Sequence, residues 1–188
     1  MRFAGSKNRL GHGPDVNPRW TVRTGRLVLT PVGGADLADL QALKGDPRVF
    51  AVMLGGVRGM AQTTSELAEE VAAWGADGFG IWSAREREGG GFVGIAGLMH
   101  RPDGRGISLR FALWPEAQGR GLAREAAGAA LRYGHEQAGL RRIVAVSRMS
   151  NFGSREVLGG IGMDECGRFE RDGHMMLVFE SIFRPPPW

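Results

Sequence analysis

Cysteine is almost missing from this chain of 188 residues, with Cys166 standing alone. No internal disulfide can form, and a reducing cytoplasm is the expected compartment. Cys166 follows Met163 in an apparent strand, where a buried or half-buried structural thiol is expected rather than a nucleophile. No apolar run approaches the ~20 residues needed to cross a bilayer. The opening residues, Met1-Arg2-Phe3-Ala4-Gly5, lack the apolar stretch of a secretory leader, so none is expected. Lysine is scarce too. Lys7 and Lys44 are the only lysines, so the net charge of +4 rests on arginine. These arginines are scattered, with no run longer than Arg141-Arg142. That pattern suits a solvated surface and attraction for a small anion, and no nucleic-acid partner is expected. No metal site is expected either.

Glycine, by contrast, is abundant at 31 residues, without a collagen period, and marks turns and loops. Hydrophobic residues make up 43%, enough for a folded core in one domain. The most informative stretch runs from Ile107 to Ala123. Residues 107 to 114 are apolar and extended in character, and Pro115 closes them. Gly119 and Gly121 then allow a tight turn and a close backbone approach to a ligand. From Leu122 the apolar residues recur near every 3.6 positions, through Ala126, Ala129, Ala130 and Tyr133. A strand, a glycine loop and a helix start follow one another. Such an arrangement leaves unpaired N–H groups at a helix N-terminus, where an anion is welcome.

Taken in order, residues 1–22 read as a mobile tail and 23–184 as one domain. A strand is expected over 26–32, then a helix from Asp36 bearing Leu37, Leu40 and Leu43, and a short helical segment from Asp46-Pro47. Thr63-Thr64-Ser65-Glu66 signals the start of another helix carrying Leu67, Val71 and Trp74. Strands are expected over 79–85, 92–99, 107–114 and 142–147, and a helix after Ser150-Asn151. A closing pair over 163–169 and 174–183 turns at Asp172-Gly173. The alternation indicates an α/β protein with a mixed sheet. Its strand–helix–strand unit over 107–148 is a right-handed parallel crossover.

Gln118-x-x-Gly121-x-Ala123 resembles the Q/R-x-x-G-x-G/A loop of the GNAT superfamily of acyl-CoA N-acyltransferases. Trp114-Pro115-Glu116 before it and Asn151-x-x-Ser154-Arg155-x-x-Leu158 after it match the order of segments in that family. The resemblance covers residues 25 to 183 and looks closest to the ribosomal-protein N-terminal acetyltransferase branch. It implies a mixed, mostly antiparallel sheet with a central splayed parallel strand pair and flanking helices. It implies acetyl-CoA as cosubstrate, with the pyrophosphate on the backbone of Gln118, Gly119, Arg120, Gly121, Leu122 and Ala123. The pantetheine arm would pair with Phe111, Ala112 and Leu113. Asn151 resembles the residue that contacts this arm, and Ser154 the one near the sulfur, a candidate acid. Helix capping is the plainer role for both. The resemblance also implies an amine acceptor, as a small molecule or a peptide, and allows a homodimer.

The sequence departs from the family at two places. Where the central strand often carries a glutamate, this chain has Ser108, Arg110 and Phe111. No tyrosine lies in the Asn151 helix, since the sole tyrosine, Tyr133, falls in the central helix and reads as core. The general base is therefore unassigned, with Glu170, Asp172, His174 and His100 as candidates. Arg110 facing the cleft would pair with an anionic group of the substrate. Phe50 and Trp82 are further candidates for the acceptor pocket. These gaps also motivate an alternative, a non-catalytic acyl-CoA sensor.

Overall fold

The computed structural model describes residues 17–184. Eight strands form one sheet: β1 (Val22–Arg23), β2 (Leu27–Pro31), β3 (Ile81–Glu86), β4 (Phe92–His100), β5 (Ile107–Leu113), β6 (Arg142–Arg148), β7 (Asp164–Arg171) and β8 (His174–Ile182). Five helices join them: α1 (Leu37–Gly45), α2 (Pro47–Phe50), α3 (Met60–Asp77), α4 (Leu122–Glu136) and α5 (Phe152–Gly160). The strand order is β1-β2-β3-β4-β5-β6-β8-β7, antiparallel everywhere except between β5 and β6. The mixed sheet and its central parallel pair are as the resemblance implied.

That pair is the hinge of the architecture. β5 holds β4 through seven residue pairs, from Gly94↔Leu113 to His100↔Ile107. β6 holds β8 through another seven. Between β5 and β6 a single pair remains, Ser108↔Val144. Past this point the strands part, and the backbone from Arg110 to Leu113 borders an opening instead of a neighbouring strand. An unpaired strand edge inside a fold has donors and acceptors to offer a ligand.

The core lies in two layers. On one face, α4 lays Leu122, Ala126, Ala127, Ala129, Ala130 and Tyr133 against Leu98, Leu109, Leu113 and Ile143. The run of alanines keeps this helix close to the sheet. On the other face, Leu40, Leu43, Val49 and Phe50 of α1 and α2 pack on Ile81, Ile95 and Ala112. α3 serves both, with Leu67 in the second layer and Trp74 in the first. Trp74 makes edge contacts with Trp82 and Tyr133 at centroid distances of 4.7 and 6.1 Å.

Three expectations need correction. Residues 17–22, placed in the mobile tail, are built into the fold. Val22 pairs with Leu29, the Trp20 ring sits 5.3 Å from Trp74, and the Trp82 indole donates to the Trp20 carbonyl. The remainder of that tail, residues 1–16, lies outside the described residues. Next, α3 begins at Met60 rather than at the threonines. The Thr63 N–H already bonds to the Gly59 carbonyl, so the first turn is upstream of the apparent capping signal. Finally, Cys166 is exposed, on the outermost strand β7. Its thiol is pushed above its ordinary value by partial burial and the nearby Glu180 carboxylate, so little reactive thiolate forms.

Candidate functional site

A cleft of about 1410 Å³ opens where β5 and β6 part. One half is built from chain-local backbone. Trp114 leaves β5 into a short turn over Pro115–Ala117, and Gly121 then begins α4. Gly119 and Gly121 both sit at positive φ, 70° and 74°, which residues with a Cβ adopt only at a cost. No side chain caps the helix, and its first backbone bond is Glu125 N–H to Gly121 carbonyl. The N–H groups of Leu122, Ala123 and Arg124 are thus left for a ligand, with the positive end of the helix dipole behind them. A Cβ at Gly119 would meet nothing within 4 Å, so there is room over the loop. These features fit a pyrophosphate.

The loop is tied down from outside. The Glu125 carboxylate accepts from the Arg26 backbone N–H and the Arg26 guanidinium, both at 2.7 Å, and from the Thr24 hydroxyl. Arg26 also donates to the Arg120 carbonyl at 2.6 Å. Burial would raise the Glu125 carboxyl, but the hydrogen bonds from Thr24 and Arg26 hold it below the usual range. The turn between β1 and β2 therefore fixes the first turn of α4.

On the opposite wall, Asn151 caps α5, its Oδ1 accepting from the Ser154 N–H at 3.1 Å. Both residues line the cleft. So do Phe111, Ala112, Leu113, Gln118, Gly119, Gly121, Leu122 and Ala123. Arg120 does not. Its side chain turns outward to Glu86, and its carbonyl is held by Arg26.

The other half of the cleft is made of side chains brought from far apart. Lys44 of α1 is completely buried and pairs with Glu66 and Glu70 of α3, at 3.0 and 2.9 Å. Arg58 pairs with the second oxygen of Glu66 and donates to the Leu54 carbonyl at 2.7 Å. Burial would raise the Glu66 carboxyl, yet hydrogen bonds from Lys44 and Arg58 hold it low. Arg110 of β5 reaches into this group, its guanidinium 5.4 Å from the Phe50 ring centre. Burial lowers its basicity, countered by Glu70 and Glu66. Arg58, Glu66, Glu69, Glu70 and Arg110 all line the cleft.

Phe50 lies beneath Arg110, is fully buried and is not among the lining residues. Trp82 is displaced from the expected role altogether. It is fully buried in the core layer under α4, because alternation along β3 points it away from Phe50. Of the candidate bases, Asp172 and His174 line the cleft. His100 sits instead at the end of β4, beside Asp77 at 3.3 Å and against Phe79. Glu170 is not among the lining residues. Sequence reasoning missed Glu66, Glu69 and Glu70, having read Glu66 as part of a capping signal. The available signal was two carboxylates four residues apart, hence on one face of a helix.

A family model described as an acetyltransferase (GNAT) domain matches residues 26–164. A curated relative, FsC-acetyl coenzyme A-N(2)-transacetylase of Aspergillus fumigatus, is 27% identical over 89% of this chain and 71% of its own. Among solved structures, an acetyltransferase from Agrobacterium tumefaciens superposes with a TM-score of 0.75 at 28% identity, covering 94% of this chain and 99% of that one. A ribosomal alpha-N-protein acetyltransferase in complex with coenzyme A shares the fold, with a TM-score of 0.72 at 15% identity, over 86% of this chain and 97% of that one.

Proposed function

The chain belongs to the GNAT acetyltransferase family, and we propose that it moves an acetyl group from acetyl-CoA to a primary amine by direct attack. The observation that carries this reading is the row of free N–H groups at the start of α4, set at the mouth of the β5–β6 opening. The A. fumigatus relative is named for acetyl coenzyme A and an N-transfer, which supports the same pairing of donor and nitrogen acceptor.

Acetyl-CoA supplies a thioester: the amine nitrogen bonds to its acyl carbon, the carbon–sulfur bond breaks, and the coenzyme leaves as a thiol. The protein's part is holding and proton handling. Leu122, Ala123 and Arg124 bind the pyrophosphate through backbone N–H groups. The edge of β5 from Phe111 to Leu113 orients the arm beside Asn151. Ser154, in the first turn of α5, is placed to donate a hydrogen bond toward the departing sulfur. The ammonium of the acceptor gives its proton to a group in the side-chain half of the cleft or to solvent. Cys166 lies outside the cleft with its thiol held protonated, so no acyl-enzyme is invoked. The acceptor is a small molecule or a protein N-terminus.

The test is release of free thiol from acetyl-CoA across a panel of amines, with the acetylated product confirmed by mass. Thiol release that depends on the amine supports transfer. Tight coenzyme binding with no release for any amine would leave the binding-only alternative, which no observation on the molecule favours.

A further inference from the structure

The side-chain half of the cleft contains two buried polar atoms of opposite demand that the protein leaves unmatched. Arg110 Nη2 is a donor with no acceptor, and Glu70 Oε2 is an acceptor with no donor. The surrounding charges are otherwise used. Both oxygens of Glu66 are taken, by Lys44 and Arg58, and Glu70 Oε1 is taken by Lys44. Among the described residues, no carboxylate lies within 4.0 Å of Arg110. The only hydrogen-bonding contact of its other terminal nitrogen is the Met99 sulfur at 3.9 Å. Three cations, Lys44, Arg58 and Arg110, face two carboxylates, Glu66 and Glu70. These five side chains hold one positive charge in excess, with the exposed Glu69 also lining the cleft.

We infer that the acceptor carries a carboxylate close to its amine, with Arg110 holding the carboxylate and Glu70 facing the ammonium. This rests on the acetyl-transfer reading above and names the substrate class of that same site. A buried donor without an acceptor is costly, and a bond to a charged partner is stronger than a neutral one. A compact amino acid meets both needs at once. A polyamine would satisfy Glu70 but bring further positive charge against Arg110, Arg58 and Lys44. A peptide N-terminus would offer a neutral carbonyl where the carboxylate belongs. Arg110 is also adjacent in β5 to Phe111–Leu113, the edge along which the acyl group is delivered, so an anion on Arg110 lies near the reacting centre.

The experiment is calorimetric titration into the full-length protein saturated with coenzyme A. The ligands are N-acetylated forms of the common amino acids, the matching N-acetylamino-acid amides, and N-acetylspermidine. At least one acid is expected to bind about 10- to 100-fold more tightly than its own amide, the range for a charge-assisted bond. Arg110→Met should shrink that preference to within about threefold while coenzyme binding, read in the same cell, shows an intact fold. Glu70→Gln should weaken the free amino acid, which has an ammonium, more than its acetylated form, which has none. Amides or N-acetylspermidine binding as well as the acids would overturn the inference. So would a failure of every acid to bind, or a preference that survives Arg110→Met. Thiol release judges the transfer reading separately. Carboxylate-dependent binding without release keeps this site and sinks transfer; equal release with acids and amides does the reverse.

Discussion

The two halves of the cleft hold charge in different ways. The glycine loop presents backbone N–H groups within a few consecutive residues, and side chains support it from outside, through the clamp of Thr24, Arg26 and Glu125 and the Arg120–Glu86 pair. The opposite half collects Lys44, Arg58, Glu66, Glu70 and Arg110 from two helices, a loop and a strand. A backbone site recognises shape and charge that every coenzyme molecule shares, and it tolerates change in its side chains. A side-chain site recognises what is particular to one acceptor, and each member depends on the others for its charge. Substitutions should therefore act on binding alone in the first half, and on stability and selectivity together in the second.

The largest effect is expected at Lys44. Lys44→Ala leaves Glu66 and Glu70 without their shared buried cation, and breaking such a pair costs about 3–5 kcal/mol. Urea unfolding should show that loss, and the purified variant should still bind coenzyme A. A fall in coenzyme affinity equal to the stability loss would dissolve the distinction between the halves. Glu125→Gln is the counterpart. It keeps the shape but weakens the clamp on the Arg26 guanidinium, and should raise the coenzyme dissociation constant about tenfold, for roughly 1.5 kcal/mol of charge-assisted bonding. Its melting temperature should move less than that of the Lys44 variant.

A smaller effect is the response to acid. The folded Glu66 carboxyl is held below its unfolded value, near 4.3, by Lys44 and Arg58. The folded state therefore binds fewer protons than the unfolded one in this window, and stability rises with pH there. The contribution is complete above about pH 4.3 and drains as pH falls through the lower folded value. Unfolding curves at a series of pH values from 3 to 7 should show it, and Glu66→Gln should flatten the slope. The smallest effect is at Cys166. Cys166→Ser should leave acyl transfer unchanged, whereas loss of transfer would demand an acyl-enzyme.

The same contrast explains what could be read from the sequence. The glycine loop was legible because strand, loop and helix start are contiguous, and their periodicity switches within 17 residues, Ile107 to Ala123. Asn151 was legible as a cap for the same local reason. Arg110 stood out as an arginine where the family often has glutamate, but its direction required the sheet. The charges surrounding Arg110 were hidden. Lys44 and Glu66 are joined only through tertiary packing, and glutamates along one face of a helix look like surface. Trp82 was misplaced because an aromatic in a strand does not declare which face it occupies until its neighbours are known. Trp20 was lost to the tail because a single tryptophan without periodicity carries no signal until Trp74 and Trp82 give it a surface.

The measurement that tests the central claim most directly is calorimetric titration of coenzyme A into the wild-type protein and into Gly121→Glu. Gly121 holds φ at 74° beside the free N–H row. A glutamate there adds backbone strain of about 1–2 kcal/mol, and its Cβ would meet the Arg26 guanidinium at 3.4 Å, disturbing the clamp that holds the loop. The account predicts binding to the wild type and a loss of at least about 100-fold in a variant that still melts cooperatively. Equal affinity in the two proteins would mean that the glycine loop is only a turn, and that the coenzyme, if it binds, is held elsewhere.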